Sequence, residues 1–397
     1  MDAASQPFRP RVALVHDWLT GMRGGEKCLE VLCREYPESN LHTLLHARGK
    51  LSPAIESMAI RTSILQAIPG VARHYRKLLP LMPAAARGWR VGAVDVVVSL
   101  SHCVAKSVRV PEGVPHVCYC FTPMRYAWEG RSAYLETARA ASPARWAISM
   151  LLDRLREWDR ASAAGVTHFV AISRTIQERI ARCYGRSSTV IEPPVDTRFY
   201  TPARVDRGDE YLYVGALVPY KKVDQAIAAC NATGRRLTVI GDGPEFAKLQ
   251  AAAGPTVRML GRRSDEEIRE HYRTCRALLF PGEEDFGIVP IEALACGAPV
   301  IALGRGGAAE TVDDRVGRVY AEPTTEALIE AVAAWEREGR PHDAEEARAR
   351  AERLDTEVFR SRITGLIESV ARGSEVRSAI PAPHHRHLGR KERAERF

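Results

Sequence analysis

The chain has 397 residues, 45% hydrophobic and 27% charged, with a formal net charge of +8; that length points to two domains of roughly 150–200 residues rather than one core. No run reaches the ~20 uninterrupted apolar residues of a membrane span, and the opening MDAASQPFRPR lacks the apolar core of a secretory leader, so a cytoplasmic protein is expected. The nine cysteines are odd in number and form no C-x-x-C pair, against a disulfide framework or zinc site, and no zinc finger, RNP-like strand or basic zipper speaks for nucleic acid.

From residue 11 the runs RVALVHD, VDVVVSL, HVCYC and THFVAIS are continuously apolar and end in polar residues. That is the pattern of strands buried on both faces of a parallel sheet. Helical periodicity separates them at 26–35, about 143–164 and 175–184. Cys118 and Cys120 alternate on one predicted strand and read as core filling. After the first strand, VHDWLTGMRGGEKCLE places Gly21, Gly24 and Gly25 ahead of the first helix, where backbone N–H groups can approach a phosphate or sugar. The loop is not G-x-G-x-x-G, which argues against a dehydrogenase.

Residues 71–90 set Arg73, Arg76, Lys77, Arg87 and Arg90 beside Tyr75, Leu78, Leu79, Leu81, Met82 and Trp89. Such a mixture suits an anionic membrane surface, at ~1 kcal/mol per basic residue. Pro80 and Pro83 argue against one long amphipathic helix; the alternative is a helix packed on its own sheet.

VIEPPVDTRFYTPARVDRGDE is rich in Pro and charge, as a linker is. The alternation then restarts: EYLYVGAL, RRLTVIG, TVRMLG, CRALLFP and APVIAL as strands, with helices beginning near 223, 245, 265, 289 and 309. The expectation is an α/β chain of two Rossmann-like, doubly wound domains facing each other across a cleft. The first spans 1–190, a linker 191–210, the second 211–371 and a basic, disordered tail 372–397. The last helix, about 357–371, packs back on either domain.

The most informative stretch is FPGEEDFGIVPIEALACGAPVIALGRGGAAETV, residues 280–312. A strand ends at Phe280, a loop carries Glu283, Glu284 and Asp285, and Gly287 opens a helix containing Glu292. Free N–H groups at Gly287, Ile288 and Val289, with the positive end of the helix dipole, suit a diphosphate. Glu284 and Glu292 offer carboxylates to vicinal hydroxyls. VGALVPYKK brings Gly215, Lys221 and Lys222 to another strand end. GDGPE places Gly241 at a strand-to-helix junction, and LGRR places Arg262 after the next strand.

The 280–312 stretch resembles the E-x7-E signature of retaining glycosyltransferases of GT-B fold, and the chain from about 11 to 370 is most similar to glycosyltransferase family 4, in a bacterial mannosyltransferase-like subgroup. The resemblance implies that Glu284 contacts the transferred sugar and Glu292 the ribose. The backbone of Phe286, Gly287, Ile288 and Val289 would hold sugar and phosphates, and Lys221 would neutralise the diphosphate. It places Arg262 near the base and Gly24 and Gly25 opposite the donor. The implied reaction moves a hexose, mannose favoured, from a nucleotide sugar (GDP-mannose over a UDP-sugar) to a glycan or polyprenyl-diphosphate-linked acceptor in polysaccharide biosynthesis. No cofactor or metal is implied, since no D-x-D triplet occurs in the chain.

The sequence departs from the family at two positions. Ala216 stands where an arginine is usual, leaving Lys222 or another arginine to substitute. Phe121 stands where a histidine near the reacting sugar is usual, and His102, after the preceding strand, is the candidate replacement. Two other readings remain: a sugar-nucleotide epimerase of the same build, and a non-catalytic relative that binds membranes or assembly proteins.

Overall fold

The computed structural model describes residues 8–128 and 142–373; the tail from Ala382 and the end of the HVCYCFTPMRYAWEG segment lie outside them. Among the described residues, thirteen strands form two all-parallel sheets. The first holds β1 Val12–His16, β2 Asn40–Thr43, β3 Ala59–Thr62, β4 Val96–Ser101, β5 His116–Cys120, β6 His168–Ala171 and β7 Ser188–Val190, in the order β3-β2-β1-β4-β5-β6-β7. The second holds β8 Tyr211–Val214, β9 Leu237–Ile240, β10 Val257–Gly261, β11 Leu278–Phe280, β12 Val300–Leu303 and β13 Gly317–Tyr320, in the order β10-β9-β8-β11-β12-β13.

The central strands β1, β4, β5, β8 and β12 are buried along their whole length, which is why they read as unbroken apolar runs. β2, β3, β7 and β13 escaped the sequence reading because they are short and carry polar residues such as Asn40, Arg61, Ser188 and Arg318. All nine cysteines are buried thiols.

In each sheet the winding reverses once, between β1 and β4 and between β8 and β11. A crevice opens at the carboxyl ends of such neighbouring strands, and ligands of doubly wound proteins bind there. Those strand ends lead to His16, Asp17 and His102 in one sheet and to Gly215 and the loop before Gly287 in the other.

The chain passes between the domains twice, side by side: Val195 N–H donates to Leu354 O and Thr356 N–H to Val195 O. The last helix, Thr356–Ala371, packs on the first domain. Phe359 meets the edge of Tyr119 at 5.6 Å, and Arg362 pairs with Glu192 at 2.6 Å. That helix therefore belongs structurally with the first sheet.

Segment 71–90 is helical in short pieces, Val71–His74, Tyr75–Leu81 and Met82–Ala86, broken around the prolines. Tyr75, Leu79, Met82, Ala85, Ala86 and Trp89 are buried in the first domain, while Arg73, Arg76, Lys77, Arg87 and Arg90 are exposed. Among the described residues no helix is long and apolar enough to cross a membrane.

Candidate active site

On the first domain, the carboxylate of Asp17 is wholly buried just past β1. It accepts N–H bonds from His102, Cys103, Val104 and Ala105 at 2.6–2.9 Å and lies 3.0 Å from His102 Nδ1. Burial pushes this carboxyl upward, but the His102 charge and the hydrogen bonds outweigh it and hold the group ionised well below the usual range. Asp17 thereby fixes His102, whose ring meets the edge of Trp18 at 4.3 Å and stays 29% exposed. His16 Nδ1 lies 3.1 Å from Trp18 O, and burial lowers its pKa to about 4.

Phe121 lies 6.2 Å from the His102 ring, so the histidine that this chain does carry stands beside the position where the resemblance led one to expect it. Sequence reasoning singled out His102 and not Asp17. The available signal was an acidic residue at the end of a buried first strand, RVALVHD.

The first helix, Gly24–Glu35, starts two residues earlier than expected, so Gly24 and Gly25 form its first turn rather than a free loop. Gly24 must be small because the domains approach closely here, and Gly25 because the Phe121 ring of its own domain lies against it. A Cβ on Gly24 would lie 2.7 Å from Ile288 Cδ1 of the second domain, and one on Gly25 would lie 3.2 Å from Phe121 Cζ. Glu26 is buried beside them, and burial raises its carboxyl pKa.

On the second domain, Gly287 is the N-cap of helix Ile288–Ala295 at φ 86°, a left-handed conformation that glycine adopts without strain. The contact of Ile288 with the Gly24 turn means that this helix start faces the other domain, and Ile288 and Val289 remain partly exposed. Phe286, by contrast, is buried. Gly215 and Gly241 end β8 and β9 so closely that a Cβ on Gly241 would collide with Gly215 O at 1.8 Å. Gly241 N–H in turn donates to Gly261 O at 2.9 Å, so three strand ends form one glycine shelf.

Lys221 does not wait as a free cation: its ammonium pairs with Glu284. Both side chains are mostly enclosed, so the two expected donor contacts hold each other in place. Lys222 adopts a left-handed φ of 53° ahead of helix Val223–Thr233 and is exposed. Arg262 is also exposed and directly follows Gly261 of the glycine shelf.

Glu292, expected to meet a ribose, is only 8% exposed. Lys27 Nζ reaches it from the first domain at 3.0 Å, and Tyr272 OH donates to its other oxygen at 3.2 Å. Asp285 was read only as part of an acidic loop, yet it is the most heavily bonded of the three acids. Arg125 and Arg179, both from the first domain, lie 2.5 and 2.6 Å from its two carboxylate oxygens, and Ser173 Oγ donates to its carbonyl at 2.6 Å. Glu310 accepts the N–H groups of Arg174 and Thr175 at 2.9 and 2.8 Å, capping helix Arg174–Tyr184 from across the cleft. Among the described residues no three His, Cys, Asp or Glu side chains converge as a metal site.

Comparison with known proteins gives this arrangement a family. Residues 22–199 match the model described as Glycosyltransferase Family 4, and residues 201–353 match that for Glycosyl transferases group 1. The chain belongs to glycosyltransferase family 4. It is 30% identical over 240 residues to a GDP-mannose-dependent alpha-(1-6)-phosphatidylinositol monomannoside mannosyltransferase of Mycolicibacterium smegmatis, covering 52% of this chain and 63% of that protein. It is 41% identical over 96 residues to a GDP-mannose-dependent alpha-mannosyltransferase of Mycobacterium tuberculosis, covering 24% of this chain and 25% of that protein. The matched stretches thus span less than two thirds of either relative's length. The crystal structure of Anabaena Alr3699/HepE in complex with UDP superposes with a TM-score of 0.67 at 17% identity, covering 90% of this chain and all of that one. The family 4 chain therefore has the GT-B architecture of two facing parallel-sheet domains.

Proposed function

We propose that this family 4 chain is a retaining, metal-independent hexosyltransferase that uses a nucleoside diphosphate sugar, with GDP-mannose as donor. The observation that carries the reading is the placement of Lys221, Glu284 and the Gly287 helix start at one strand-end crevice, opposite the Gly24 turn. A diphosphate at the helix start meets free N–H groups, the helix dipole and Lys221. Glu284 then takes sugar hydroxyls once the phosphate draws Lys221 away, and Glu292 shares a ribose with Lys27. The mannose preference rests on the names of the two mycobacterial relatives.

The reaction is a front-side displacement. The acceptor oxygen bonds to the anomeric carbon on the face from which the phosphate leaves, and the departing phosphate oxygen takes the acceptor proton. His102, fixed by Asp17, orients the acceptor hydroxyl. Positive charge from Lys221 and the helix start stands in for a metal ion.

The acceptor is a glycan or polyprenyl-diphosphate-linked saccharide of polysaccharide biosynthesis, reached from the cytoplasmic face of the membrane. Support comes from the surface around segment 71–90: no Asp or Glu occurs between Glu56 and Asp95, the five basic side chains there are exposed, and Ile64 and Leu81 are 80% and 52% exposed beside them. Such a surface gains from both anionic headgroups and shallow apolar insertion.

The first experiment is thermal denaturation against a panel of nucleotides and nucleotide sugars, where a ligand at 100 times its dissociation constant adds ~2.7 kcal/mol. GDP and GDP-mannose should stabilise the protein most. Sugar transfer in the presence of EDTA should be undiminished. Stabilisation by no nucleotide in the panel contradicts the donor assignment.

A further inference from the structure

At the donor diphosphate position, Lys221 is already paired with Glu284. A bound diphosphate brings at least two negative charges, and its leaving oxygen gains more as the glycosidic bond breaks, so a second cation beside it lowers the barrier. Ala216, on the same loop as Lys221, offers none. The first domain does.

Arg125, in the loop after β5, extends over the cleft to the second domain. Its guanidinium lies 2.5 Å from Asp285 Oδ2 and its Cζ lies 5.2 Å from the centroid of the Tyr220 ring. Lys221 Nζ lies 5.5 Å from that same centroid. The guanidinium and the ammonium therefore gather at one ring, between the loop that carries Lys221 and the loop that leads to Gly287. The arginine side chain is 35% exposed.

We propose that Arg125 is a ligand of the donor diphosphate supplied by the first domain, and that Asp285 is the positioning residue that aims it; the inference rests on the nucleotide-sugar reading above. Asp285 is itself held rigidly, by Arg179 at 2.6 Å and by Ser173 on its carbonyl, and the Arg179 side chain is only 8% exposed. A guanidinium carries five donors in a planar fork, so it can bond a phosphate oxygen without releasing the carboxylate that orients it. Because the cation comes from the opposite domain, diphosphate affinity depends on the domains being together. A nucleoside without phosphates does not feel it.

The test is calorimetric titration of the full chain with GDP, UDP and the two nucleosides, with melting curves to confirm that each variant folds. Arg125→Ala should weaken the preferred diphosphate about tenfold, the scale of one charge-assisted hydrogen bond, and leave the nucleoside unchanged. Arg125→Lys, with charge but no fork, should fall between. Ala216→Arg approaches the same diphosphate from the donor side, and adding it to Arg125→Ala should restore most of the lost affinity. Asp285→Asn should weaken the diphosphate less than Arg125→Ala does and add nothing further in the double variant. Diphosphate binding unchanged by Arg125→Ala, equal losses for nucleoside and diphosphate, or no recovery with Ala216→Arg each overturn the proposal. A wild-type chain that binds neither GDP nor UDP overturns the nucleotide-sugar reading itself, and that result is in hand before any variant is made.

Discussion

Lys27 and Glu292, 265 residues apart in the chain, meet across the cleft with the ammonium 3.0 Å from one carboxylate oxygen. The Glu292 charge holds the lysine pKa above its ordinary value, against the opposing effect of burial. Tyr272 occupies the other oxygen, so a ribose that uses Glu292 must share it with a residue of the opposite domain. In the proposed reading, domain contact and nucleotide binding converge on this one carboxylate.

Replacing Lys27 with Met leaves that enclosed carboxylate without its cation, a change that costs several kcal/mol, about 3–5 when the pair is fully buried and less here because Lys27 is partly exposed. The variant should melt earlier than wild type. Its stabilisation by saturating GDP should exceed that of wild type, because ribose hydroxyls then supply the missing partners. Equal stabilisation of the two proteins would show that the ribose lies elsewhere.

Glu284→Ala leaves the mostly enclosed Lys221 ammonium without its partner, so the melting temperature should fall modestly while the fold persists. Transfer should fall about 100-fold or more, the scale of one lost group at the reacting centre. Steady-state kinetics separate the outcomes. A loss confined to the Michaelis constant would assign Glu284 to ground-state binding only, and full activity would remove it from the site.

The sequence made the buried strands and the donor loop legible for one reason: local pattern alone determines them. β4 and β5 are apolar because both faces are covered, and the helix after Gly287 is legible because Pro290 is tolerated in its first turn and Glu292, Ala293, Leu294 and Ala295 are good helix formers. Pairings across the cleft leave no such trace. Asp285 looks like one acid among three until Arg125 and Arg179 arrive from sequence distances of 160 and 106. Asp17 looks like an ordinary strand end until four N–H groups after β4 turn toward it. The free glycine loop was misread for the same reason, because Gly24 and Gly25 are small to admit Ile288 and Phe121 rather than to leave the chain unwound.

His102 and Asp17 should separate chemistry from folding. His102→Ala removes a partly exposed ring and should lower turnover about 10- to 100-fold, at the low end of what a positioned side chain at the reacting group contributes, with donor affinity unchanged. Asp17→Asn replaces an acceptor of four N–H groups by an amide with one acceptor oxygen, leaving buried donors unpaired at ~1–3 kcal/mol each. That variant should lose most of its stability. If instead it folds as wild type does and only turnover falls, Asp17 acts on the chemistry rather than on the loop.

The histidines set the acid limit of stability. Burial lowers the pKa values of His16, His42 and His116 to about 4, against an ordinary 6.5. Between those values the unfolded chain binds protons that the folded chain refuses, so stability falls as pH drops from 6.5 towards 4 and this contribution levels off below 4. At the steepest point each fully enclosed ring contributes about 1.4 kcal/mol per pH unit. Asp17, with its pKa held below the ordinary 3.8, acts in a separate window, since its contribution is complete above 3.8 and is lost only at lower pH. Urea unfolding at intervals from pH 7.5 to 4 should therefore give a free energy that is level near neutrality and declines through pH 6 and 5. A flat profile to pH 4.5 would mean that these rings take up protons in the folded protein as readily as in the unfolded chain.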